Sequence, residues 1–169
     1  MDTGNPAAQH NFEDQVALLK SVLHELIKHS RFSLNFSIHK AVAHPGDPET
    51  PDYLVDFSGH DADLLLEKNA SLLHALEHVS LKAIRLDDDQ LRRIAFDCKD
   101  WRRMRMEELH LMAQVAAERV IDTGDPFKLS PMNSRERRII HLALRDMPQV
   151  ETQSEGVGPE RHVVIRPSK

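Results

Sequence analysis

Two short runs of apolar residues spaced two apart, set among stretches spaced three and four apart, limit this chain to a mixed architecture. Phe32, Leu34, Phe36 and Ile38 alternate with Ser33, Asn35 and Ser37, and Tyr53, Val55 and Phe57 repeat the pattern, so both runs read as half-buried strands. Before them Phe12, Val16, Leu19, Leu23 and Leu26 recur at helical spacing; after them Leu64, Leu65, Leu72, Leu73, Leu76 and Val79 do so across residues 61–85. An all-helical bundle cannot use the alternating runs, and an all-β sandwich has no place for the helical ones. The fold class expected is α+β.

The remaining punctuation sets the order of elements. A Pro/Gly turn is expected at residues 44–48. A polar step, Glu67-Lys68-Asn69-Ala70, interrupts the second helical stretch, and Ser71 after it suits a new helix cap. Asp87-Asp88-Asp89 reads as a solvated loop, residues 92–98 as a third strand, and residues 100–121 as a long helix with Trp101, Met104, Leu109, Met112 and Val120 mostly inward. Thr123-Gly124-Asp125-Pro126 ends that helix. Asn133, with Glu136 three residues later, predicts a capped helix over residues 134–145, stopped by Pro148. Residues 150–154 and 162–166 read as a strand hairpin. The order is α-β-β-α-α-β-α, then a helix and a hairpin. The divisions expected are a frayed tail over 1–11, a first domain over 12–122 and a second over 123–169.

Charge narrows the partners. The chain has 22 basic and 27 acidic residues, a net of -5, which speaks against coating a polyanion with bulk positive surface. The balance is uneven: residues 1–125 hold 14 basic and 22 acidic side chains, whereas residues 126–169 hold 8 basic and 5 acidic. A polyanion should therefore meet the carboxy-terminal quarter first. Aromatics at 5% disfavour a base-stacking platform, and the single Cys98 excludes an internal disulfide or a Cys-rich zinc site. No stretch approaches the apolar length of a membrane span, and residues 1–15 lack the pattern of a secretory signal. The expectation is a soluble, cytoplasmic protein.

The segment from Ser134 to Leu144, Ser-Arg-Glu-Arg-Arg-Ile-Ile-His-Leu-Ala-Leu, resembles the motif helix of an R-3-H (Arg-x-x-x-His) domain, and residues 150–165 resemble that domain's hairpin. The first six elements have the order of a type II KH domain, and Gly59-His60-Asp61-Ala62-Asp63-Leu64-Leu65-Leu66 fits the run that leads into its loop. Together these resemble the bacterial Jag (KhpB-like) family of KH plus R-3-H proteins, over roughly residues 12–167. The separate amino-terminal domain that many Jag proteins carry has no expected counterpart here. The resemblance implies a non-catalytic regulator that binds single-stranded RNA or DNA, linked to cell elongation and envelope growth, with a KH-mediated homodimer or a small KH partner protein.

The residues carry their own argument. Arg137 and His141 are four apart, so they share one helix face. An arginine fork suits a phosphate, and a histidine adds a donor that becomes cationic on protonation. Such contacts are backbone-directed and weakly sequence-selective. Arg138, Arg161 and Lys128 are expected to extend the patch. The competing reading pairs Arg137 with Glu136 or Asp146 and leaves His141 as a satisfied, half-buried side chain. A KH domain grips its strand with a GxxG loop, whose place is taken here by Glu67, Lys68, Asn69 and Ala70. Both glycines are gone, and Glu67 sets a carboxylate where a phosphate would sit, so the strand grip is expected to be lost and the KH-like half to serve packing, dimerisation or partner docking. His74-Ala75-Leu76-Glu77-His78 also spells H-x-x-E-H, an inverted zinc-protease pattern lacking a third ligand, and no metal, cofactor or catalytic residue is expected. The alternative function is a protein-interaction adaptor with vestigial nucleic-acid binding.

Overall fold

The computed structural model of this chain describes residues 6–42 and 50–168, and these divide into two compact units at Trp101 and Arg102.

The first unit opens with α1 (Pro6–Ser30). A proline suits a first helical turn, so the helix takes in residues 6–11, where the sequence predicts a frayed tail. Residues 1–5 and the turn expected at 44–48 lie outside the described residues. β1 (Leu34–Lys40) and β2 (Tyr53–Gly59) pair antiparallel, with Phe36 opposite Phe57 and Ile38 opposite Val55. β3 (Ile94–Cys98) lies parallel to β2, with Val55 beside Phe96, giving the sheet order β1-β2-β3. A parallel neighbour needs a crossover rather than a tight turn. That crossover is α2 (Ala62–Ala83) followed by the short α3 (Asp88–Arg92). α3 replaces the loop expected from the three aspartates. Asp87 Oδ1 accepts the amides of Asp89 and Gln90 at 3.1 and 2.8 Å, while the Asp87 amide donates to Gln90 Oε1 at 3.2 Å. This capping box holds a helix too short to show an apolar period.

Phe57 packs tilted against Phe36 and Phe96, with centroids 6.1 and 5.5 Å away, amid buried Phe12, Leu19, Leu23, Leu65 and Leu73. Gly59, at φ +120°, lets the end of β2 pass β1: a Cβ there would sit 2.5 Å from the Ser33 carbonyl oxygen. Asp61 then accepts the Ser33 amide through Oδ2 at 2.7 Å, which fixes where α2 begins.

The second unit contains α4 (Trp101–Thr123), β4 (Phe127–Lys128), α5 (Ser134–Ala143), β5 (Val150–Glu155), a 3-10 turn (Gly158–Glu160) and β6 (His162–Pro167). Its sheet is antiparallel in the order β4-β6-β5. The division differs from the expected one, which keeps the long helix with the first domain. Met106, Leu109, Ala113, Ala116, Ala117 and Val120 of α4 share a core with Ile139, Ile140, Leu144, Val163 and Ile165. The Gly124 turn closes the helix, with its amide on the Val120 carbonyl at 2.9 Å, but a helix end need not be a domain end. Met104, expected inward, is nearly half exposed.

Candidate nucleic-acid interface

α5 starts where the sequence predicts. Asn133 Oδ1 accepts the Glu136 amide at 2.9 Å, and the Asn133 amide donates to Glu136 Oε2 at 3.1 Å. The second carboxylate oxygen, Oε1, accepts Arg105 Nε–H at 2.7 Å, and Arg105 Nη1 also donates to Glu108 at 2.9 Å. Glu136 is buried, and a buried carboxylate requires such partners. Its hydrogen bonds therefore go to Arg105 and the cap rather than to Arg137. The Arg137 Nη1 donates to the Met132 carbonyl at a long 3.5 Å, and among the described residues this guanidinium makes no ion pair. Asp146 lies with Arg145, 3.4 Å away. The competing reading of Arg137 as half of a surface ion pair does not hold.

For His141 the competing reading holds. Its Nδ1 is 2.6 Å from Thr152 Oγ1 and its Nε2 is 2.9 Å from Ser154 Oγ, so both ring nitrogens are engaged by β5. Burial lowers its pKa from the ordinary 6.5, and the neighbouring Arg137 charge lowers it further. At neutral pH one ring nitrogen donates and the other accepts, which two hydroxyls can serve in either tautomer. The expected cationic phosphate contact is corrected to a neutral strut that ties α5 to β5 beside Arg137.

The strand register decides which of the other predicted residues join this face. Thr152 and Ser154 stand opposite Ile165 and Val163. Gln153, on the other face of β5, stands opposite Val164, and so does Lys128 across β6. Side chains opposite one another share a face, so Lys128 projects from the side of the sheet away from His141 and does not extend its patch. Arg161 does belong near Arg137. The Met132 amide donates to the Arg161 carbonyl at 3.1 Å while the Met132 carbonyl takes the Arg137 guanidinium, so one residue anchors both. Arg161 and Arg138 are exposed. Sequence reasoning missed Thr152, Ser154 and Arg105. The first two were legible in principle, because their period of two puts both on the face that carries Val163 and Ile165.

The loop at residues 67–70 interrupts α2 as expected, in an unexpected conformation. Glu67 is extended, with φ -59° and ψ 150°, but Lys68, Asn69 and Ala70 are all left-handed, with φ of 49°, 59° and 55°. Without glycine, each such residue costs about 1 kcal/mol or more, least for asparagine. Ala70 is fully buried, whereas Glu67, Lys68 and Asn69 are exposed.

The H-x-x-E-H run sits within α2. His74 Nδ1 lies 3.7 Å from Glu77 Oε2, and its ring meets Trp101 edge-on at 5.2 Å. Among the described residues no three His, Cys, Asp or Glu side chains converge to hold a metal ion.

These features define a protein with an R-3-H domain: residues 107–167 match that domain family. The chain is similar to the RNA-binding protein KhpB of Clostridium symbiosum, with 34% identity over 111 residues, 66% of this chain and 50% of that protein. It is also similar to the RNA-binding protein KhpB of Bacillus subtilis (strain 168), with 36% identity over 110 residues, 64% of this chain and 53% of that protein. The RNA-binding protein KhpB of Streptococcus pneumoniae serotype 2 shares 38% identity over 72 residues, 43% of this chain and 22% of that protein. The chain is thus a homologue of KhpB (Jag-family) proteins, and it spans about half the length of the first two relatives.

Proposed function

We propose that this chain binds single-stranded nucleic acid, RNA foremost, through its R-3-H domain and without catalysis, in a Jag-like regulatory role. The observation that carries the reading is the state of Arg137. Glu136 is engaged by Arg105 and Asp146 by Arg145, so the Arg137 fork is left with one long bond to a carbonyl and stays available to a phosphate. Arg161 and Arg138 add positive charge nearby, while His141 holds the helix in register. The homologues named RNA-binding proteins support the same reading.

The first unit is read as KH-like, of type II, with an added α3. Its glycine-free loop and Glu67 favour packing, self-association or docking of a small KH partner over a strand grip. Among the described residues no helix is long and apolar enough to cross a membrane. The proposal sets the protein in the cytoplasm, where an RNA target is met.

One titration tests the proposal. Fluorescence anisotropy of a labelled single-stranded RNA should show affinity falling with salt, and Arg137→Ala should lower both the affinity and the salt slope. The second reading, an adaptor with vestigial binding, is favoured by the acidic first 125 residues. It predicts identical weak curves for both proteins.

A further inference from the structure

The family match begins at residue 107, just past the residue that disposes of the nearest buried negative charge. Arg105 leaves α4 with a side chain that is 16% exposed, and Glu136 on α5 with one that is 6% exposed. Their contact at 2.7 Å is shorter than the one the same Arg105 fork makes to Glu108, at 2.9 Å. Without this guanidinium the Glu136 carboxylate would stand one residue from Arg137 with no cation on it. Adjacent helix positions do not face each other, so contact is not the issue. A buried charge, however, is poorly screened by salt and acts over the distance to a phosphate on Arg137.

We propose that Arg105 is a positioning residue of the strand-binding site, which neutralises and fixes Glu136 so that Arg137 presents an uncompensated guanidinium to the phosphate. The fixing runs through a chain of contacts. Arg105 holds Glu136, the same carboxylate caps the Asn133 amide, and the adjoining Met132 carbonyl receives Arg137 Nη1. Burial works against the charge on Arg105, but its hydrogen bonds to Glu136 and Glu108 outweigh this and raise its pKa, so it stays cationic. The inference rests on Arg137 as the phosphate contact.

The test is a charge cycle on the full chain, read by anisotropy with a labelled single-stranded RNA, with thermal melting alongside. Arg105→Met should bind about three- to tenfold more weakly, because it uncovers one nearby negative charge. Glutamine preserves the capping box, so the double variant Arg105→Met/Glu136→Gln removes both charges and should return to within about twofold of the unaltered chain. Arg105→Lys keeps the cation and should bind close to the unaltered chain even if Arg105→Met does not fold. If the double variant stays as weak as Arg105→Met, or Arg105→Lys folds yet binds as weakly as a charge loss demands, Arg105 is not acting through Glu136 and the proposal fails. Arg137→Ala run in parallel keeps the two questions apart: undiminished binding there removes the underlying reading, whatever the cycle shows.

Discussion

The ring of His141 reaches Ser154 across the gap between α5 and β5, Nε2 to Oγ at 2.9 Å, while its other nitrogen holds Thr152. The motif histidine is a structural tie in its neutral form. Its pKa lies below the ordinary 6.5 in the folded protein, first through burial and then through the Arg137 charge. The folded chain therefore binds fewer protons here than the unfolded chain just below pH 6.5, and the stability so gained is present above that value and lost as pH falls through the folded pKa. Denaturant midpoints should be level from pH 8 to 7 and decline from about pH 6.5 downward, with a smaller decline in His141→Gln. RNA affinity should be flat from pH 8 to 7. A rise in affinity over that interval would show the imidazolium contacting phosphate.

The two motif residues should separate in mutagenesis. Arg137→Ala gives up one long hydrogen bond, so its melting temperature should stay within about 2 °C of the unaltered chain while the salt slope of RNA binding drops by about one. His141→Ala gives up two short bonds in a half-buried setting and should cost about 1–3 kcal/mol of stability. Melting curves and salt titrations on both variants check the split, and equal loss of stability in the two would contradict it.

Strain in the 67–70 loop predicts an unusual gain. Lys68 is exposed with φ of 49°, so Lys68→Gly should stabilise the chain by about 0.5–1 kcal/mol, read as a higher denaturant midpoint. Ala70→Gly relieves similar strain but removes a fully buried methyl worth about 0.8 kcal/mol, so it should come out near neutral. Glu67→Gly relieves nothing, since Glu67 is not left-handed. If loop composition is what blocks a strand, Glu67→Gly/Ala70→Gly should raise RNA affinity, and an unchanged affinity would place the block elsewhere.

Gly59→Ala should be severe. The new methyl would stand 2.5 Å from the Ser33 carbonyl, a backbone atom that cannot swing aside, at a φ that L-residues rarely adopt. The expected loss exceeds about 2 kcal/mol, seen as a fall of several degrees in the melting transition; Gly124→Ala, with nothing within 4 Å, should lose only the cost of its own φ.

Legibility followed the range of the interactions. The alternating strands, the Asn133–Glu136 cap and the closing hairpin rest on neighbours a few residues apart, and the sequence spells such patterns. The Arg105–Glu136 pair joins positions 31 apart, and α4 faces a core completed only by α5 and β6, so neither was readable before the chain was folded. α3 was missed because five residues carry a cap but no period. Arg137 stands out from the spacing of its motif alone, whereas the state of His141 depends on hydroxyls from another strand, which no helical spacing reveals. Lys128 was grouped by charge alone, and only register reveals its face.

The place of α4 matters to anyone who would study the two halves apart. A fragment cut at Thr123, where the glycine and proline invite the scissors, would leave Ile140, Val163 and Ile165 without the helix that covers them, and would discard Arg105 with it. A weak or aggregating fragment of that kind would say nothing about the affinity of the domain. The useful cut lies before Arg102, among residues that on sequence alone look like the interior of the other half.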